Sequence, residues 1–199
     1  MKFFIIGGST THGKGDPEYG GWSGLLRKHV ETKNQNDTVF VLGIPSETTK
    51  GIKNRITNEL ISRYASSEDI CIICLGLNDS RMDKESNCEI SLRIFENNCN
   101  EIISQVRKIT KNIVIIEPSN VNENKTNPFK GKYYKNSKIE EYKKCIRNIC
   151  NEQDVYLVKD PKKEFSEKDF YDGLHPNRIE HKRRFKLLLE FLKQIKLYN

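Results

Sequence analysis

The chain has 199 residues, of which 36% are hydrophobic and 31% charged. That length suits one domain over residues 1–199 with a core that needs no metal or disulfide staples, and the composition excludes a disordered chain. The net charge of +7 is concentrated: residues 125–138 carry five lysines and no acid, and residues 176–199 carry seven Lys/Arg against two Glu. Neither segment shows a helix-turn-helix, an aromatic RNP-type strand or finger spacing, so solvated basic faces are expected and nucleic acid is not an expected partner. No stretch approaches the roughly 20 apolar residues of a membrane span. The run Phe3-Phe4-Ile5-Ile6 after Met1-Lys2 is too short for a secretory h-region, so a cytoplasmic protein is expected. In that setting the six cysteines are expected to be thiols. Cys71 and Cys74 form a C-x-x-C inside an apolar strand, where residues three apart point to opposite faces and cannot meet in a redox or zinc site.

In chain order, the first β-prone apolar run covers residues 2–7. A second covers 38–44, followed by a helical pattern with Ile52, Ile56, Leu60, Ile61 and Tyr64 on one face. A third strand is expected at 69–76, then a helix carrying Phe95, Cys99, Ile102, Val106 and Ile109. After a fourth run at 112–117 comes an irregular, Asn- and Lys-rich segment, 118–135, of the length that usually makes a functional flap or a mobile loop. Ile139, Tyr142, Ile146, Ile149 and Cys150 form the next helical face. A fifth strand, Val155-Tyr156-Leu157-Val158, precedes a final helix with Phe185, Leu188, Leu189, Leu192 and Ile195 on its apolar side. Strands that are continuously apolar are buried on both faces, and their alternation with helices implies a parallel sheet between two helix layers. Ligands of such sheets bind beyond the carboxyl ends of the strands.

After the first strand comes Gly7-Gly8-Ser9-Thr10-Thr11-His12-Gly13-Lys14-Gly15-Asp16-Pro17. Gly8-x4-Gly13-Lys14 meets most of the phosphate-loop pattern, but Gly15 lacks the magnesium-binding hydroxyl and Gly15-Asp16-Pro17 favours a turn over a helix. The competing assignment puts a nucleophile at Ser9, which needs a base, an orienting acid and oxyanion donors elsewhere. Of the four histidines, His29 and His181 lie in helices and are expected at the surface, and His12 has no acid placed to orient it. His175 belongs to Tyr171-Asp172-Gly173-Leu174-His175-Pro176-Asn177, where Asp172 can fold back onto Nδ1 and leave Nε2 facing outward. A helix-capping Asp beside an unrelated His is the competing account of that motif. Past the third strand, the Asn78 side chain of Leu75-Gly76-Leu77-Asn78-Asp79-Ser80 can donate to an oxyanion, although an Asn-Asp pair is also a common turn. After the second strand, backbone N–H groups in Leu42-Gly43-Ile44-Pro45-Ser46-Glu47-Thr48-Thr49 can supply a further donor.

Taken together, these strand-end motifs resemble the SGNH hydrolases, the GDSL esterase/lipase family, over nearly the whole chain. Gly76-Leu77-Asn78-Asp79 is similar to that family's G-x-N-D block, and Asp172-Gly173-Leu174-His175-Pro176 to its D-x-x-H block. Gly21-Trp22 followed by Leu25-Leu26 fits the helix after the nucleophile. Gly8 stands where the family has Asp. Ser46 stands where the family's second block has the Gly whose amide lines the oxyanion hole, a position at which Ser tolerates a positive φ poorly; Gly43 is the second candidate donor. The resemblance implies a three-layer α/β/α sandwich with a five-stranded parallel sheet, flavodoxin-like in topology. It implies a serine ester hydrolase with Ser9 as nucleophile, His175 as base and Asp172 as its orienting acid. The oxyanion donors would be the Ser9 and Ser46 amides and Asn78. No metal or organic cofactor is required, and the expected partner is a small acyl ester, with O-acetylated carbohydrate among the candidates. An acyltransferase using the same acyl-enzyme and a catalytically weak binding domain are the alternatives.

Overall fold

The computed structural model describes residues 1–162 and 165–198. Its strands are β1 (Lys2–Gly7), β2 (Thr38–Gly43), β3 (Ile70–Cys74), β4 (Asn112–Ile116) and β5 (Tyr156–Val158), and its helices α1 (Ser9–His12), α2 (Gly21–Lys33), α3 (Thr49–Ile61), α4 (Leu92–Arg107), α5 (Glu123–Thr126), α6 (Asn136–Glu152) and α7 (Arg178–Gln194). All neighbouring strands pair in parallel, in the order β2-β1-β3-β4-β5. This is the doubly wound, flavodoxin-like order. The third strand stops short of its apolar run because Leu75 and Gly76 leave the ladder to enter the strand-end loop, and the fourth ends at Ile116, one residue before Glu117, whose amide still donates to the Val158 carbonyl at 3.3 Å.

Side-chain alternation along the strands builds two cores from one sheet. Phe4, Ile6, Cys71, Ile73, Ile113 and Ile115 pack against α3, α4 and α6. Phe3, Ile5, Val39, Ile70, Ile72 and Val114 pack on the other face against α2 and α7. The same alternation sends Cys71 into the first core and Cys74 against the second, and both are free thiols. In α3, Ile52, Ile56 and Leu60 are buried as their spacing requires, but Ile61 is 60% exposed and Tyr64 84%. Ile61 lies one residue, about 100° of helix rotation, past Leu60, and Tyr64 lies beyond the helix end.

Two histidines expected at the surface are not there. His181 is fully buried where α7 crosses the start of α2. Its Nδ1 accepts the Trp22 amide proton at 3.2 Å and its Nε2 donates to the Lys14 carbonyl at 2.9 Å. His29 is half-buried, its ring lying against Phe185 and Tyr198. Both exceptions arise because α2 and α7 pack on each other as well as on the sheet.

Segment 118–135 is not featureless. It contains α5 and pairs Met82 with Tyr133, and its Val121 and Tyr134 join Ile139 and Leu174 in a third, smaller apolar cluster.

Candidate active site

The functional candidates gather at the carboxyl edge of the sheet. β1 delivers the chain through Gly8 to Ser9, the first residue of α1, so the nucleophile candidate stands half-buried at the centre of that edge. Gly13, at φ +92°, ends α1 after one turn, which leaves Lys14 outside any helix and exposed, unlike the lysine of a phosphate loop. Gly15 adopts φ +100° and lies so close to the Asp172–His175 turn that an added Cβ would stand 2.0 Å from the Pro176 carbonyl oxygen. Only glycine admits that approach.

The Asp172 carboxylate builds the turn that carries His175. Its Oδ1 accepts the amides of Leu174 at 3.1 Å and His175 at 2.8 Å, and its Oδ2 accepts from His175 Nδ1 at 2.8 Å. Burial pushes this carboxyl up, but the His175 amide and ring and the Leu174 amide outweigh it and hold the group below the usual carboxylate range. With the ring proton committed to Nδ1, Nε2 presents its lone pair to Ser9 Oγ, 2.9 Å away. Phe129, from segment 118–135, sets its ring edge-on to the imidazole, with centroids 6.0 Å apart. His175 is thus buried between its acid and an aromatic wall.

Asn78, beyond β3, donates through Nδ2 to the Glu47 carbonyl at 2.8 Å. That Nδ2 lies 2.8 Å from where a Cβ on Gly8 would stand, which puts the amide over the turn into Ser9. The loop after β2 is held from two sides. Glu47 takes a two-pronged ion pair from Arg55 at 2.6 and 2.5 Å. Asp79, almost fully buried, accepts the Thr49 amide at 2.9 Å and its hydroxyl at 2.6 Å, and Asn98 completes the cluster by donating to Thr49 Oγ1. Burial pushes the Asp79 carboxyl up despite these bonds. Asp79 is therefore the strut that ties the loop after β3 to the loop after β2. Only its place in the G-x-N-D block pointed toward it. Ser46 is exposed, with φ +67°, and it is Glu47 rather than Ser46 that lines the cleft beside Ser9. Gly43 ends β2 opposite Gly7, and an added Cβ there would meet the His12 amide nitrogen at 2.4 Å. His12 itself is exposed.

The GDSL-like lipase/acylhydrolase family matches residues 5–183 of this sequence. The chain belongs to that family. As a GDSL-like acylhydrolase it is a carboxylic ester hydrolase. No curated protein sequence matches it. Among solved structures it is similar to a lipase/acylhydrolase from Enterococcus faecalis, with TM-score 0.77 and 18% identity over 98% of this chain and 96% of that one. It is also similar to an acetylxylan esterase from Geobacillus stearothermophilus, with TM-score 0.74 and 17% identity over 96% and 93%. A third is an α/β hydrolase enzyme from the metagenome of Lake Arreo, Spain, with TM-score 0.73 and 16% identity over 96% and 94%. Catalytic mutants of the Geobacillus esterase replace one serine, one aspartate and one histidine by alanine, the aspartate three positions before the histidine.

A cleft of about 80 Å3 opens beside Ser9 and Asn78 in this GDSL-like fold and crosses the carboxyl ends of β1, β3, β4 and β5 to reach α7. Cys74 stands in its wall with a thiol that burial pushes up to about 12, so it is neutral and unreactive there. Among the described residues, no group of three His, Cys, Asp or Glu side chains is placed to hold a metal ion, and no helix is long and apolar enough to cross a membrane.

Proposed function

We propose that the chain, acting as one domain over residues 1–199, hydrolyses a short acyl ester through a serine acyl-enzyme with Ser9, His175 and Asp172 as the triad. The observation that carries this reading is the 2.9 Å contact between Ser9 Oγ and His175 Nε2, made across 166 residues of sequence by a histidine whose other nitrogen is bound to Asp172. Ser9 Oγ attacks the ester carbonyl carbon while His175 Nε2 takes the hydroxyl proton. The tetrahedral adduct collapses, the bond to the alcohol oxygen breaks, and the alcohol leaves with the proton from Nε2. Water then repeats the sequence and releases the acid, while Asp172 stabilises the imidazolium in both halves.

The oxyanion falls to the Ser9 and Ser46 amides and to Asn78 Nδ2. Asn78 spends one amide hydrogen on the Glu47 carbonyl and keeps a second for substrate. Each such donor is worth on the order of 3 kcal/mol in serine hydrolases.

Acyl size follows from the cleft. A bound water needs roughly 10–15 Å3 of such volume, so a cleft of about 80 Å3 supports an acyl group of a few heavy atoms. O-acetylated carbohydrates fall within that class, and the fold shared with an acetylxylan esterase supports it. A fluorophosphonate probe is expected to label one site, Ser9, and to leave Ser9→Ala unlabelled. On p-nitrophenyl esters, kcat/KM is expected to fall from acetate to octanoate. Equal labelling of Ser9→Ala, or activity that climbs with chain length, would refute the respective half of this reading.

A further inference from the structure

The cleft lining carries four carboxylates, Glu47 and Asp79 at the Ser9 and Asn78 end and Glu117 and Asp160 past the ends of β4 and β5, and one cation, Arg184 of α7. Each carboxylate already has its own donors: Glu47 is held by Arg55, Asp79 by Thr49, Glu117 by Arg147 at 2.9 and 3.2 Å, and Asp160 by Arg183 at 2.5 Å.

Arg184 differs. Its one hydrogen bond among the described residues runs from Nε to Glu180 Oε1, at 3.3 Å. Glu180 is itself shared with Arg183, which reaches it at 2.6 to 3.0 Å, and with Lys162. Both terminal nitrogens of Arg184 are left without a hydrogen-bond partner among the described residues, although the side chain is only 16% exposed. Burial pulls the Arg184 guanidinium below its ordinary range, and Glu180 and Asp160 do not make up the difference. A largely buried guanidinium whose planar fork has no partner among the described residues is the arrangement that takes a carboxylate in two parallel hydrogen bonds.

The approach to Arg184 is apolar. Trp22, Ile116, Val158, Leu187 and Leu188 line the same cleft as Ser9 and this arginine. Polarity of the reaction decides which part of the ester lies there. The leaving alcohol must receive its proton from His175, which stands outside the cleft lining against Phe129. The alcohol therefore sits on the Phe129 side, and the acyl group extends the other way, under α1 and along the strand ends toward α7.

Resting on the serine mechanism proposed above, we propose that Arg184 binds a carboxylate at the far end of the acyl chain, so that the preferred substrates are hemiesters of short dicarboxylic acids. The methylene stem occupies the apolar stretch and the terminal carboxylate meets the guanidinium fork. Hydrolysis breaks the ester bond at the Ser9 end and releases the free dicarboxylate and the alcohol.

The test compares monoethyl succinate with ethyl 4-methylpentanoate, whose branched end replaces the carboxylate with an uncharged group of the same shape, by chromatographic release of ethanol. Wild-type kcat/KM is expected to be at least tenfold higher for the hemiester, with the difference in KM, and the preference is expected to shrink as salt is raised. In Arg184→Gln the ratio of the two kcat/KM values is expected to fall at least tenfold, and Arg184→Lys to restore part of it. A wild-type ratio at or below one, which needs no variant to measure, overturns the inference while leaving the serine mechanism standing. A ratio unchanged in a folded Arg184→Gln protein also overturns it. Turnover of neither ester by wild type, or full turnover by Ser9→Ala, overturns both.

Discussion

Gly8 leaves room for the Asn78 amide: a Cβ at position 8 would lie 2.8 Å from Asn78 Nδ2, so any other residue there requires that amide to shift. Backbone conformation is not the reason, because Gly8 has φ −91°, which any residue adopts. Space is the reason. An Asp at this position would crowd the Asn78 amide where it stands. With Asn78 in the oxyanion role proposed for it, Gly8→Ala is expected to displace the amide and lower kcat by about 10²-fold, the cost of one oxyanion donor. Asn78→Ala is expected to lose a similar factor. The double variant is expected to lose little more than either alone, because both act on the same donor. Multiplying losses in that cycle would show that Gly8 works through something else.

Ser9→Ala and His175→Ala are each expected to abolish ester hydrolysis with the Tm near that of wild type, since both side chains stand in strand-end turns outside the two main cores. On the proposed mechanism the double variant should be no worse than either single one, because nucleophile and base act as a unit. Asp172→Asn is expected to keep the Leu174 and His175 amide bonds through its carbonyl oxygen while turning an amide N–H toward Nδ1. That forces the opposite tautomer and costs about 10⁴-fold in kcat. Single-turnover kinetics on an activated ester would check all three.

The parts of this protein that could be read from sequence are those where one side chain's environment is set by its immediate neighbours. Five apolar runs announce the five strands, of which β1, β3 and β4 are largely buried while the edge strands β2 and β5 are only partly so. Asp172 and His175 are three residues apart in a turn, so their pairing is a local matter, and the topology then brings Ser9 to them. What stayed hidden depends on contacts between distant elements. His181 sits among Lys182, Arg183 and Arg184, and nothing local shows that α2 crosses it. Ile61 and Tyr64 satisfied a helical period, but α3 ends where they begin to turn outward. The bonds from Thr49 to Asp79 span two loops, and the lack of a partner for the Arg184 fork among the described residues becomes visible only once Glu180 is seen to be shared with Arg183 and Lys162.

His181 makes stability depend on pH. Burial pushes its imidazole down to about 4, against a bond to the Lys14 carbonyl that works the other way. Protonating Nδ1 would break the bond from the Trp22 amide. In the unfolded chain the same ring titrates near 6.5. The unfolded state therefore gains a proton first as pH falls, so stability is fully present above about 6.5 and declines toward about 4. The difference amounts to about 3 kcal/mol across that window. Urea unfolding of wild type and His181→Asn at pH 7, 5 and 4 should show the variant less stable at pH 7 but with a shallower decline. Parallel declines in the two proteins would exclude His181 as the source.

Ser46 occupies the left-handed region at φ +67°, where a side chain costs about 1 kcal/mol and glycine nothing. Ser46→Gly removes that strain but adds freedom to the unfolded chain, so the net change in stability is expected to be under about 1 kcal/mol. The catalytic outcome is the more informative. If the Ser46 amide is the donor and its side chain only crowds the acyl group, Ser46→Gly should hold or raise kcat/KM, and more so for bulkier acyl chains. The exposure of Ser46 favours this outcome over donation by its side chain. If Ser46 Oγ is itself the donor, the same substitution should lower kcat by about 10²-fold. Glu47 separates the loop's position from its donor. Glu47→Gln weakens the ion pair with Arg55 yet leaves the backbone carbonyl that Asn78 binds. It should therefore lower kcat less than Asn78→Ala does. A larger loss in Glu47→Gln than in Asn78→Ala would mean that the Arg55 clamp, and not the Asn78 amide, holds the loop in register with Ser9.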